Sequence, residues 1–472
     1  MPIKITPTLY ITTMKKLLAF GFAASLIACN NPADSAKTEN SEENKIVEPT
    51  TLMTKNTPAW SKQATIYEVN IRQYTPEGTF NAFSQHLDRL QQMGVKILWI
   101  MPIQPIGKEK RKGSLGSYYS IADYASTNPE FGTLEDFKNL VQEAHKRDMK
   151  VILDWVANHT SWDHTWINSH RDWYSQNEQG EIIAPVEDWS DVADLNYNNY
   201  EMRKAMEEDM IFWVREADID GFRCDMAMMV PMDFWDNARV RLEELKPMFM
   251  LAEAEGPEFH AKAFDMSYGW ELHHIMNDIA KGHKSVVDID HYLGKQDSLY
   301  SKDDYRMFFI TNHDENSWNG TVGDRMGANA HNFHVLASTL PQSMPLIYSG
   351  QEAGLNKALA FFEKDQIDWS NTSQYDFYTK LTHLKLEHPT LINGSEQGGF
   401  ERIDTGNDRV YAFKRMTEGA ELLVYVNLAE QNFQATAPLA GDTKYEDYMT
   451  GAEASANIDV PANSFKLITS AL

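Results

Sequence analysis

From about residue 58 onward, short apolar runs alternate with longer stretches in which apolar residues recur every three or four positions. The runs lie at 64–69, 95–100, 150–156, 219–224, 248–252, 307–310 and 345–348. Each has strand length and is mostly apolar, as expected of strands covered on both faces. The intervening stretches at 80–93, 134–147, 201–217 and 231–245 carry the helical period. Strands alternating with helices predict a parallel sheet wrapped by helices, an α/β fold. About eight such units fit a closed (β/α)8 TIM barrel better than an open sheet. No G-x-G-x-x-G or Walker A pattern occurs, so no nucleotide cofactor is expected.

The pattern changes near residue 389. Segments 410–415, 421–426 and 464–469 read as short strands with few helical stretches between them, which predicts a C-terminal antiparallel β domain over 390–472. The opposite end differs again. Met14-Lys15-Lys16 precedes the run LLAFGFAASLIAC, which ends at Cys29. Two lysines, an apolar core and small residues before the end read as a secretory signal, too short to span a bilayer. Leu26-Ile27-Ala28-Cys29 resembles the lipobox of bacterial lipoproteins, which implies lipidation at Cys29 and a signal over 1–29. Met14 starts a more typical signal than Met1. Residues 30–57 are polar and acidic and read as a disordered tether, so the barrel is expected over 58–389.

Lys and Arg total 43 against 68 Asp and Glu, a net charge of −25. Nucleic acid and anionic membrane surfaces are thereby disfavoured as main partners, since both need a positive field. The expected membrane link is the lipid, and the expected location is the cell envelope outside the inner membrane. A lipidated Cys29 leaves Cys224, the only other cysteine, without an intrachain disulfide partner. Aromatic residues make up 11% of the chain and suit either a large core or platforms for sugar rings.

Three acids lie at or just beyond the ends of apolar runs: Asp225 after Gly221-Phe222-Arg223-Cys224, Glu253 after Met248–Ala252, and Asp314 after Phe308–His313. Active sites of (β/α)8 barrels sit at these C-terminal strand ends. A fourth segment, Asp154-Trp155-Val156-Ala157-Asn158-His159, also closes a strand-like run. In order and content the four segments resemble the signature regions of the α-amylase family, glycoside hydrolase family 13. Ala193-Asp194-Leu195-Asn196 resembles its fifth short region. The resemblance covers residue 60 to the C-terminus.

It implies that Asp225 is the nucleophile of a retaining glycosidase, Glu253 the acid/base and Asp314 a third carboxylate that binds sugar hydroxyls. Arg223 lies on the same strand face as Asp225 and is expected to keep it ionised, while nearby negative charge should raise the pKa of Glu253. Glu255 is a weaker rival for the acid/base position. His159 and His313 match the histidines that bond the sugar, where a neutral imidazole would both donate and accept. A metal pair is the rival reading for them, without the H-x-x-x-H spacing such a site favours. Tyr119 matches the floor under the reacting sugar, with Tyr118 its adjacent alternative.

The resemblance requires no cofactor and allows calcium, with Asn158 as its side-chain ligand. It departs from the family after Asp225, where many members carry Lys-His and this chain has Met226-Ala227-Met228-Met229. Domain B, at about 160–196, is short and rich in tryptophan. The expected activity is retaining hydrolysis of α-1,4-glucosidic bonds in α-glucans or malto-oligosaccharides. The alternatives are a neopullulanase or cyclomaltodextrinase, an α-1,6-glucosidase, a glucanotransferase, and more remotely a noncatalytic glycan-binding lipoprotein.

Overall fold

The computed structural model describes residues 55–441 and 443–470. The expected signal, Cys29 and the expected tether up to residue 54 lie outside the described residues. Eight parallel strands close into a barrel: β1 (Ile66–Val69), β2 (Ile97–Ile100), β3 (Lys150–Trp155), β6 (Gly221–Cys224), β7 (Phe249–Ala252), β8 (Met266–Tyr268), β9 (Tyr305–Phe308) and β10 (Ser343–Tyr348), with β1 paired to both β2 and β10. The short strands β4 (His159–Ser161) and β5 (Val192–Asp194) form an antiparallel pair in the insertion after β3. This is the (β/α)8 TIM barrel with a short domain B.

Strand alternation sorts side chains into two cores. Ile66, Ile97, Trp99, Ile152, Leu251, Met266, Met307 and Leu346 point inward and fill the barrel. Their neighbours Tyr67, Leu98, Val151, Phe222, Met250 and Ile347 point outward to the helices. Helix Leu134–Lys146 begins with a capping box, Thr133 and Asp136 each bonding the other's backbone N–H. The expected helix over 80–93 is instead two pieces, Phe80–Ser84 and Leu87–Gln92. The β7–β8 connection carries no α-helix, only a 3₁₀ turn at Pro257–His260.

After β10 and helix Tyr375–Glu387, the strands β11 (Gly399–Ile403), β12 (Val410–Thr417), β13 (Ala420–Asn427), β15 (Tyr445–Asp447), β16 (Ala452–Glu453) and β18 (Ser464–Ser470) build an antiparallel sheet. β14 (Phe433–Thr436) and β17 (Asn457–Val460) pair separately. The sheet docks on the barrel helices, where Asn332 donates to the Asn427 carbonyl at 3.2 Å and the Arg415 guanidinium to the Thr339 carbonyl at 2.8 Å. Among the described residues, contacts to the barrel are already made at Lys55 and Thr57, ahead of the expected start of the barrel. Lys55 pairs with Asp304 at 3.1 Å and the Thr57 hydroxyl donates to Asp265 at 2.6 Å. No helix among the described residues is long and apolar enough to cross a membrane.

Candidate active site

Above the apolar barrel interior lies a layer of buried polar residues, supplied one or two at a time by successive strands. β3 brings Asp154 level with Arg223 of β6, and their registered positions make both point inward. Asp225 and Glu253 each sit one residue beyond a strand and extend its ladder: Asp225 N–H donates to the Trp155 carbonyl at 2.9 Å, and Glu253 N–H to the Cys224 carbonyl at 3.0 Å. The pleat therefore fixes where both carboxylates point.

Arg223 is fully buried and joins them. Its Nη1 donates to Asp154 Oδ1 and to Asp225 Oδ1, both at 2.9 Å. Its Nη2 lies 2.8 Å from Glu253 Oε2, and its Nε donates to the Tyr268 hydroxyl at 3.1 Å. The guanidinium plane also lies over Trp99, 4.9 Å from the ring centre. Burial opposes its charge, but Asp154 and Glu253 outweigh burial and raise its pKa well above the usual value. Met226 takes a left-handed conformation at φ 43°, and its N–H donates to Glu253 Oε2 at 2.8 Å. That conformation is uncommon for a residue other than glycine and here aims a backbone donor at a carboxylate.

The charge distribution differs from the expectation. Burial first, then the negative charge of Glu253, push the Asp225 pKa well above the carboxylate range despite Arg223. One guanidinium is shared among Asp154, Asp225 and Glu253, so it does not keep every partner ionised. Asp314 opens helix His313–Trp318 at the rim and is the most exposed of the three predicted acids.

His313 also differs. The Tyr119 hydroxyl donates to Asp154 Oδ2 at 3.0 Å, so it accepts from His313 Nε2 at 2.8 Å. His313 Nδ1 faces Glu68 Oε1 at 2.5 Å. Both ring nitrogens thus face acceptors. Burial opposes the charge, but Asp314 and Glu68 outweigh it and raise the pKa to about 9, so the ring is an imidazolium at neutral pH rather than the neutral form expected. His159 is the opposite case. Burial lowers its pKa to about 4, and Asn158 Nδ2 donates to its Nδ1 at 3.2 Å.

Tyr119, not Tyr118, belongs to this cluster. Its ring stacks on His313 at 5.4 Å with 19° between planes. Tyr118 is buried beneath Arg72, whose guanidinium lies 4.2 Å from the ring centre. Glu255 is held elsewhere, by Arg306 at 2.5 Å and by the Glu271 N–H at 3.0 Å. Of the five tryptophans in or near domain B, Trp155 packs in the outer core and Trp166 packs on Trp173 at 5.0 Å. Trp162 lies under the Lys110 ammonium, and Trp189 meets the edge of His159 at 5.6 Å.

Glu68, Trp99, Asp154 and Tyr268 complete the cluster and were not singled out as site residues in the sequence. A strand-embedded acid such as Glu68, inside an otherwise apolar run, is the signal that points to them.

Asn158 donates to His159 through Nδ2, which leaves its Oδ1 outside that bond, and Asp191, close enough to act on His159, pairs with Lys112 at 3.0 Å. Among the described residues no three His, Cys, Asp or Glu side chains converge as ligands.

Comparison with known proteins agrees with this geometry. A family model described as "Alpha amylase, catalytic domain" matches residues 34–189 and 173–388. Alpha-amylase MalA of Haloarcula japonica is 26% identical over 84% of this chain, which spans 59% of that longer protein. The solved structure of an alpha-amylase from Lactobacillus plantarum superposes with a TM-score of 0.78 at 29% identity, covering 87% of this chain and 99% of that one. A noncanonic maltogenic alpha-amylase from Thermotoga neapolitana gives 0.80 at 28% identity, covering 88% of this chain and all of the other. With a family match over most of its length and the barrel fold, the chain belongs to the alpha-amylase family, glycoside hydrolase family 13.

Proposed function

We propose that the protein is a retaining glycoside hydrolase that cleaves α-1,4-glucosidic bonds in α-glucans or malto-oligosaccharides. The observation that carries this reading is Arg223, which holds Asp225 and Glu253 together at adjacent strand ends. Retention needs two carboxyl groups about 5–5.5 Å apart, one to attack and one to protonate.

In the first step the Asp225 carboxylate attacks the anomeric carbon while Glu253 gives its proton to the leaving oxygen. A glycosyl ester forms on Asp225 and the aglycone departs as an alcohol. In the second step Glu253 takes a proton from water, the resulting hydroxide attacks the same carbon, and the ester bond to Asp225 breaks. The chemistry requires one proton on the pair. It must reside on Glu253 when sugar is bound, and Arg223 steadies the Asp225 anion. Asp314 bonds the ring hydroxyls, imidazolium His313 holds the Tyr119 hydroxyl, and Tyr119 backs the apolar face of the ring.

The test is a product profile from the intact protein on amylose, pullulan, a cyclodextrin and maltotriose, beside Asp225→Asn. A ladder of malto-oligosaccharides, lost by several orders of magnitude in the variant, supports the reading. Panose from pullulan, rapid ring opening, or products longer than maltotriose would move it to the neopullulanase, cyclomaltodextrinase or transferase alternatives. Undiminished turnover in Asp225→Asn would overturn the nucleophile. We further propose that Cys29 carries lipid and anchors the enzyme to the cell envelope. Wild type should enter the detergent phase on cloud-point partition, and Cys29→Ser should stay in the aqueous phase.

A further inference from the structure

Helix His313–Trp318 starts at the catalytic rim and ends, one turn past Asp314, in a tryptophan that is 51% exposed. Residues four apart lie on one helix face, so Trp318 shares the cleft side with Asp314. An indole this exposed is unusual for so large an apolar group, yet it is not isolated. Its ring lies 5.2 Å from Phe361 and 5.8 Å from Phe362. Phe361 is nearly parallel to Tyr119, at 6.3 Å and 12°, and Tyr119 stacks on His313. Four aromatic rings therefore run in unbroken contact from the reacting centre to the surface.

The run is also pinned. Asn316, buried in the middle of the same helix, donates through Nδ2 to the Lys357 carbonyl at 3.0 Å and accepts the Leu359 N–H at 2.9 Å. Leu115 N–H donates to the Phe362 carbonyl at 3.1 Å. The helix bearing Trp318 and the loop bearing Phe361 are thereby held as one piece. A surface set in advance loses little conformational freedom when something settles on it.

We propose that Trp318, backed by Phe361, is a specificity-determining residue that stacks against a glucosyl unit of the α-glucan outside the one being cleaved. The inference rests on the α-glucan reading of the site. The chemistry matches: a pyranose presents a face of C–H groups that an apolar ring can cover while the hydroxyls remain in water. The position matches as well, because the platform continues the floor under the reacting sugar instead of starting a separate patch. Chain length is then read here, since short substrates do not extend to the indole.

The test is calorimetric titration of maltotriose and maltoheptaose into full-length protein carrying Asp225→Asn, with and without Trp318→Ala or Trp318→Phe. Trp318→Ala should weaken maltoheptaose by about tenfold, and maltotriose by distinctly less. Trp318→Phe should recover most of the loss, because the apolar face is retained. Equal affinity in Trp318→Ala, or equal weakening at both lengths, would overturn the proposal. A chain that binds in this length-dependent way while the unaltered enzyme releases no sugar would sink the hydrolase reading and leave the platform standing.

Discussion

Among the wholly buried arginines of the described residues, Arg223 in the barrel and Arg415 where the C-terminal sheet meets it live in opposite surroundings. Arg223 faces three carboxylates and a tyrosine hydroxyl. Arg415 faces only carbonyls, those of Thr339, Gly398 and Gly399. Burial lowers the Arg415 pKa to about 10, whereas the acids around Arg223 raise its pKa well above the usual value. A buried lysine, Lys385, packs on the same side as Arg415 and is also held by a carbonyl and an amide. Carbonyls satisfy the donors of a cation without neutralising its charge. That suffices for a staple between layers. A site that must handle protons needs the excess of acids found at Arg223.

The comparison can be broken most severely at Arg223. Arg223→Met should lower kcat by about 10³-fold or more, because it removes the shared counter-charge of the carboxylate pair. It should also destabilise the fold by about 3–5 kcal/mol, the cost of stranding buried charges. Arg223→Lys should rescue little, since one ammonium cannot reproduce a fork that serves four partners. Steady-state kinetics and denaturant melts would check both; activity near wild type in the lysine variant would show that charge alone suffices.

Arg415→Met should act in the other way, with about 1–3 kcal/mol lost from stability through unpaired carbonyls and kcat unchanged below the melting transition. A fall in kcat at constant fold would contradict the division of labour.

A third difference concerns pH. His313 has a folded pKa of about 9 against an ordinary value of 6.5, so the folded state binds more protons between these limits. Its stabilising contribution is complete below about pH 6.5 and is lost as pH rises through about 9. The urea midpoint should therefore decline across this window, and His313→Asn should flatten the decline. The smallest effect is expected from chelation. Asp191, beside Asn158, already pairs with Lys112, so EDTA should leave the melting temperature within error, and a clear drop would point to a calcium ion held there.

Much of this arrangement could be read from the sequence because strand ends are marked by abrupt changes of polarity. Seven barrel strands coincide with apolar runs, and Asp225, Glu253 and Asp314 stand where those runs stop. β8 escaped because three residues, Met266–Tyr268, are too few to show a period, and the turn before it has no helical pattern. With β8 went Tyr268, one of the partners of Arg223. The neutral His313 expected from its sugar-binding role was overturned by two acids, the adjacent Asp314 and Glu68, which lies on the first strand, 245 residues away in sequence. Contacts of that range leave no trace in local spacing. The Trp318 platform was hidden for the same reason, since its supports Phe361 and Tyr119 come from loops after the last and second barrel strands.

Closure of the barrel through β1 and β10 also has a consequence for biosynthesis. Glu68, Asp154 and Arg223 leave the ribosome long before His313, and β1 gains its second neighbour only when Ser343–Tyr348 has been made. Until then the early acids have no imidazolium and no closed wall around them. A chain cut short before β10 would carry every predicted catalytic carboxylate, yet lack the enclosure that tunes them, so premature termination should yield an inert product instead of a weak glycosidase.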